Sequence, residues 1–434
     1  MFITYNRLLR LGAALTAAAI LIALPATAAA QCLGFRGERH ATVGLYVKDL
    51  AADTMVIAKN IDRGLTPASV TKALTTACAL RQLGPAWHYL TPVWLVGDST
   101  VAGPVWHGTL TVTGVGDPTV ESDRFEDNLG FCDSIAAALT RLGIRRIDGG
   151  ITVESTLTDQ GPADTWEISD TRYSYGTGHY GLNYKGNLRR GGGRRHQSNG
   201  RIVPDTHPAR TFERDLRRTL AAHGITVGGA HSTRTRRHHT DFDSAFSALQ
   251  MPDLPRVLVY THRSPELLDI ARDLMHRSDN MWAEGTLRLL APDSGRDSAL
   301  AVEDSILTSL GADTEFITLR DGSGLSRSNR YSPRFLASVL EAMAVSPDGP
   351  DYISLFPVAG RDGTMKNFLK DTPLEGRAAF KTGSMNGIQC YAGYILGADN
   401  LPTHSVVIMV NGFKCPRADL RAALTRLLLS AIPS

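Results

Sequence analysis

Cysteine is scarce in this sequence of 434 residues: five in all, with no CxxC pair and no cysteine–histidine cluster. A structural zinc site has nothing to bind to in such a pattern. The histidines scatter without metal-ligand spacing, and His238-His239 reads as a solvated pair. Neither a metal nor a cofactor is expected. Charge of either sign is not in excess, with 46 Lys and Arg against 43 Asp and Glu. That balance gives no electrostatic reason to expect nucleic acid as partner. What is present is ordinary globular composition, 43% hydrophobic and 21% charged, in a chain long enough for two or three packed units.

Residues 1–30 read as a signal peptide. Arg7 and Arg10 make the start positive, an apolar run covers 11–24, and Pro25 precedes small residues that offer A-x-A cleavage sites. The run falls short of the ~20 residues a membrane span needs, so export with cleavage is expected and no stable span remains afterwards. Gln31 before Cys32 does not suit a lipoprotein signal. Among the cysteines, Cys390 and Cys415 flank an expected hairpin and form the pair best placed for a disulfide, while Cys78 reads as a core thiol.

Alternation predicts paired strands over 41–48 and 54–58, and helical spacing predicts a helix over 69–83 stopped by Gly84. Strand patterns recur at 378–381, 389–396 and 404–411, followed by a helix over 417–429. In that last helix Leu420, Leu424, Leu427 and Leu428 are expected to pack on a sheet. Strands at both ends imply one sheet built from the two termini, so the middle is an insertion. Residues 31–94 and 256–434 would form the body and 95–255 the inserted, β-rich region. A faint echo runs through the insert, each copy a helix stopped by glycine and then a strand: 139–150 and 220–229. Two nested subdomains of similar build are the expectation. Basic clusters at 189–195 and 234–239 read as solvated loops.

Three short motifs carry chemistry. Ser69-Val70-Thr71-Lys72 lies at a helix start, and residues three apart share a helix face, so hydroxyl and amine meet. Serine needs a base to become a nucleophile. A lysine depressed by burial serves, and an arginine cannot; this arginine-rich chain keeps lysine at 72. Ser278-Asp279-Asn280 follows a helix expected to start at Ser264-Pro265, with serine as cap. Lys381-Thr382-Gly383-Ser384 ends a predicted strand, where lysine and threonine face a carboxylate and glycine admits substrate backbone. Each motif alone is weak. In the order S-x-x-K, S-D-N, K-T-G they form the signature shared by penicillin-binding proteins and class A β-lactamases.

Four further segments narrow the resemblance: Gly116-Asp117-Pro118-Thr119; Arg277 to Met281 with Ala283-Glu284; Asp321-Gly322-Ser323-Gly324-Leu325-Ser326-Arg327; and Pro357-Val358-Ala359-Gly360 with Asp362-Gly363-Thr364. Together they resemble the D-alanyl-D-alanine carboxypeptidases/endopeptidases of the penicillin-binding protein 4 type. The resemblance implies an α+β fold, a transpeptidase-like domain of antiparallel sheet flanked by helices, carrying a large insert. It implies Ser69 as nucleophile, Lys72 as its base, and Ser278 and Asn280 as relay and orienting groups. Lys381 and Thr382 would bind a terminal carboxylate, with Gly383 lining the approach. The N–H groups of Ser69 and Ser384 would form the oxyanion hole. Peptidoglycan stem peptides would be the substrate, β-lactams covalent inhibitors and the periplasm the location. The Asp321–Gly324 turn reads as a wall of the site, and Glu284 as a structural partner rather than a base. Two other readings remain open: a β-lactamase or esterase on the same fold, and a non-catalytic wall-binding scaffold.

Overall fold

The computed structural model describes residues 32–98, 103–191, 202–229 and 255–432. The expected signal segment, the basic cluster at 234–239 and the part of the other cluster beyond Gly191 lie outside them. Strands β1 (Thr42–Asp49) and β2 (Thr54–Lys59) open the chain as an antiparallel pair. A 3₁₀ turn, Ala68–Thr71, runs into helix α1 (Lys72–Leu83), which Gly84 ends at a φ of 79°. Apart from its last turn α1 is buried all round, as expected of a central helix that presents no face to water.

The chain then enters a second sheet. Its parts are β3 (Leu90–Asp98), β4 (Val105–Gly114), α2 (Phe131–Arg141), β5 (Arg146–Ile147) and β6 (Ile151–Ser155). A small pair, β7 (Leu188–Arg190) with β8 (Ile202–Pro204), precedes α3 (Pro208–Ala222), β9 (Thr226–Val227) and β10 (Arg256–Arg263). The strand order is β10-β3-β4-β5-β9, with β6 also on β4. The two echo copies lie side by side here. Gly143 and Gly224 stop α2 and α3 at φ of 76° and 71°, and β5 and β9 then pair in parallel. Ile135, Leu139, Phe212, Leu216 and Leu220 of the two helices share a single core.

Five helices follow: α4 (Leu267–Arg277), α5 (Asn280–Arg288), α6 (Arg296–Ser309), α7 (Pro333–Ala344) and α8 (Gly349–Ser354). Strands β11 (Ala378–Met385), β12 (Ile388–Leu396) and β13 (Pro402–Asn411) and helix α9 (Arg417–Ala431) complete the chain. The first sheet has the order β11-β12-β13-β1-β2, so the two termini do build it. Both of its faces are covered, which explains why β12 is buried along its whole length. Cys390, Ala392 and Tyr394 face the helical layer around α1, while Tyr391 and Ile395 face α9. Leu420, Leu424, Leu427 and Leu428 of α9 pack on that second face, as their spacing predicted.

Three expectations are corrected. Cys390 and Cys415 are not bridged, because alternation along β12 turns Cys390 into one core while Cys415 belongs to the other. Helix α4 starts at Leu267 with Glu266 before it; the Ser264 hydroxyl is committed to the Tyr89 amide and the Pro265 carbonyl instead of a cap. Lys381-Thr382-Gly383 lies inside β11, not at its end, since pairing with β12 continues to Met385. All five cysteines are free. Unfolded protein that has never met reductant is therefore expected to titrate five thiols with an aromatic disulfide reagent. A thiol deficit restored by reductant would contradict this arrangement.

Candidate active site

The S-x-x-K segment sits where the first sheet meets α1. Ala68, fully buried, holds a φ of 53°, a left-handed conformation costly for a residue with a side chain. It is locked from below. The Ala68 carbonyl presses on Gly324, where a β-carbon would stand 2.0 Å from that oxygen, so only glycine fits. From the sheet side, a β-carbon on Gly383 would lie 2.6 Å from the Pro67 carbonyl and 3.2 Å from the Ser69 nitrogen. Strand β11 thus lies directly against the turn that presents Ser69.

Lys72 is fully buried at the head of α1. Its Nζ donates to Ser69 Oγ at 3.0 Å, to Asn280 Oδ1 at 2.7 Å and to the Ser323 carbonyl at 2.6 Å. Burial pushes its pKa down to about 8, only partly opposed by the negative charges of Asp321, Asp279 and Glu284. An amine in that range gives up and takes back a proton near neutral pH, as general acid–base chemistry requires.

The second motif forms the sharp break between two helices. Ser278 ends α4 in the left-handed region at φ 62°, and Asp279 caps α5 by accepting the Trp282 amide at 3.0 Å. Asn280 is the first residue of α5, and this geometry turns Ser278 and Asn280 toward the two lysines. Lys381 shares a face of β11 with Ala379, toward the helical layer, and its Nζ donates to Ser278 Oγ at 2.9 Å. Its pKa is lowered by complete burial and then by the charge of Lys72. Thr382 lies on the other side of the strand and donates to Thr364 Oγ1 at 2.8 Å. Ser384 Oγ donates to Gln389 Oε1 at 3.2 Å. The three motifs, far apart in sequence, converge on one cleft: a hydroxyl on each lysine, with Asn280 against Lys72.

With that constellation in place, comparison with known proteins is decisive. The sequence profile of the D-Ala-D-Ala carboxypeptidase 3 (S13) family matches residues 36–201 and 199–427. The chain belongs to this family. Among the relatives it matches, the D-alanyl-D-alanine carboxypeptidase DacB of Haemophilus influenzae is 35% identical over 164 residues, covering 36% of this chain and 34% of the relative. The D-alanyl-D-alanine carboxypeptidase of an Actinomadura species is 30% identical over 175 residues, covering 38% and 32%. The matched stretch thus spans about a third of the length of these curated relatives. In fold, the chain is similar to the crystal structure of penicillin-binding protein 4 from H. influenzae. That likeness has a TM-score of 0.76 at 20% identity, over 91% of this chain and 97% of the other. The architecture is therefore the α+β transpeptidase-like fold with an extra β-containing region.

Several groups in this S13 cleft carry no side-chain signature in sequence. The Tyr175 carbonyl accepts from Asn280 Nδ2 at 2.8 Å, a contact made by a backbone atom. The Ser323 carbonyl that holds Lys72 is also main chain, although its turn stood out as a motif. Arg124 joins Asp279 at 2.5 Å and Asp273 at 2.8 Å and lies over the Trp282 ring, bracing the S-D-N turn from outside.

Behind α1 sits one more titratable group. Glu303 is fully buried, accepts from Thr75 Oγ1 at 3.0 Å, and is pushed up to about 8 from its ordinary 4.5, chiefly by burial. A carboxyl raised on folding leaves stability intact below its unfolded pKa, and stability is lost as pH rises toward the folded value. Over that window the folded protein forfeits up to about 1.4 kcal/mol per pH unit. Glu303→Gln keeps the acceptor for Thr75 but cannot ionise. Its melting temperature relative to wild type is expected to rise between pH 5 and pH 8.5; an offset that does not change with pH would refute the account.

Proposed function

We propose that this chain is a serine DD-peptidase of the bacterial cell wall, cleaving the D-alanyl-D-alanine bond of peptidoglycan stem peptides through an acyl-enzyme on Ser69. The observation that carries the reading is the contact of a buried, pKa-depressed Lys72 with Ser69 Oγ at 3.0 Å, alongside the Lys381–Ser278 pair at 2.9 Å. Neutral Lys72 takes the Ser69 proton as Oγ attacks the carbonyl of the penultimate D-alanine. The N–H groups of Ser69 and Ser384 receive the oxyanion. Collapse breaks the C–N bond, and the proton passes to the departing amine by way of Ser278. Lys381, Thr382 and Thr364 bind the carboxylate of the terminal D-alanine, while Gly383 leaves room for the peptide backbone. Asn280 orients the peptide amide. Water then attacks the acyl ester, returning the proton to Ser69.

A β-lactam places a strained amide on the same Ser69 Oγ, and the opened ring stays attached as a stable ester. The body would comprise residues 31–94 and 256–434 and the insert 95–255, in two nested parts, the second sheet running across both boundaries through β3 and β10, with residues 1–30 removed on export to the periplasm. No helix among the described residues is long and apolar enough to cross a membrane. The test is to incubate the purified protein with an acyl peptide ending in D-Ala-D-Ala and measure free D-alanine, with and without penicillin. Release that penicillin blocks stoichiometrically supports the reading. Turnover of penicillin without a lasting adduct would replace it with a β-lactamase, and neither activity would leave a scaffold.

A further inference from the structure

Glu284 is a fully buried carboxylate one helical turn past Asn280, and the mechanism above makes no use of it. Its bonds lead to the site. Oε1 accepts the backbone amides of Gly322 and Ser323, each at 3.1 Å, and Oε2 accepts from Arg296 Nε at 3.1 Å. The same two-residue turn presents the Ser323 carbonyl to Lys72 Nζ at 2.6 Å, the shortest of that amine's three bonds. The Gly322 carbonyl accepts from Thr75 on α1 at 2.9 Å. The turn is therefore clamped between Glu284 on one side and α1 on the other, with both its amides spent on a single carboxylate oxygen.

Space around the turn is tight as well. A β-carbon on Gly322 would meet Leu287 Cβ at 2.8 Å and the Ala283 carbonyl at 3.0 Å. Arg296 is in turn shared: it reaches Asp159 Oδ2 at 3.5 Å, and Arg288 grips the same Asp159 with a second contact at 2.8 Å. The charged groups around Glu284 are thus Arg288 from α5, Arg296 from α6, Asp321 next to the turn, Glu303 behind α1, and Lys72 itself.

We propose that Glu284 is a positioning residue for Lys72: it fixes the Gly322–Ser323 turn so that the Ser323 carbonyl aims the amine at Ser69, and its negative charge supports the protonated amine. The role rests on the reading of Lys72 as the base of a penicillin-sensitive peptidase. A carboxylate used only to fill a hole would leave the titration of Lys72 alone. A carboxylate that positions and charges the turn sets both the rate at high pH and the pH at which the rate falls.

The experiment is the rate of Ser69 acylation by a fluorescent penicillin between pH 5.5 and 10, for wild type and Glu284→Gln, with thermal melts to confirm folding. The variant keeps an acceptor oxygen and loses the charge. Its acid limb is expected to move to lower pH by about half to one unit, and its plateau to fall about 10-fold. An acid limb that stays in place overturns the proposal, whatever the plateau does. If Glu284→Gln does not fold, Gly322→Ala takes over, displacing the turn with the carboxylate intact. A plateau about 10-fold lower with an unmoved limb supports the role, and a wild-type plateau overturns it. Wild type that is never acylated overturns the peptidase reading, and this role with it.

Discussion

Replacing Ser69 by alanine is expected to abolish the covalent penicillin adduct and to cut D-alanine release by roughly 10⁴-fold or more. Once Oγ is gone, the lysine amine that contacts it at 3.0 Å has no hydroxyl to deprotonate, and no ester forms. Another hydroxyl at the centre, Ser278, is held by Lys381 at 2.9 Å. The loss should come without unfolding, since Lys72 keeps its bonds to Asn280 and Ser323 and the exchange removes a single atom beside a partly open cleft. Intact mass after incubation with penicillin decides the matter: an adduct on wild type and none on the variant. An adduct that persists on Ser69→Ala would move the nucleophile elsewhere, with Ser278 the first to examine.

Much of this site was legible in the sequence because its chemistry is carried by side chains at fixed local spacing. Ser69 and Lys72 meet because one helical turn separates them, and the left-handed break at Ser278 throws Ser278 and Asn280 to the same cleft. The sheet built from the two termini was legible too, from apolar patterns at both ends. What escaped has a physical reason in each case. The Tyr175 and Ser323 carbonyls act through main chain, which any residue type supplies. Ser264 looked like a helix cap by composition, but a cross-strand amide at Tyr89 competed for its hydroxyl. Cys390 and Cys415 looked close along the chain, yet strand alternation placed them on opposite faces of one sheet. Nearness in sequence predicts contact on one face, not through a sheet.

Lys72 provides the sharpest test of mechanism, because two replacements separate charge from basicity. Lys72→Met fills the same buried volume without an amine, and acylation is expected to fall roughly 10³- to 10⁴-fold. Lys72→Arg keeps a positive charge and a donor for Asn280 and Ser323, yet it should be as inactive, since a guanidinium does not give up its proton in this pH range. For wild type the sign of the pH dependence follows from burial. The amine sits at about 8 in the folded protein against an ordinary 10.5, so its neutral, basic form grows about 10-fold per pH unit as pH rises toward 8 and levels off above it. The acylation rate should trace that curve. Its acid limb would lie elsewhere if Lys381, lowered by its own burial and by the charge of Lys72, were the base. An arginine variant that acylates at even a tenth of the wild-type rate would show that position 72 needs only charge, and the base would then have to be sought at Lys381.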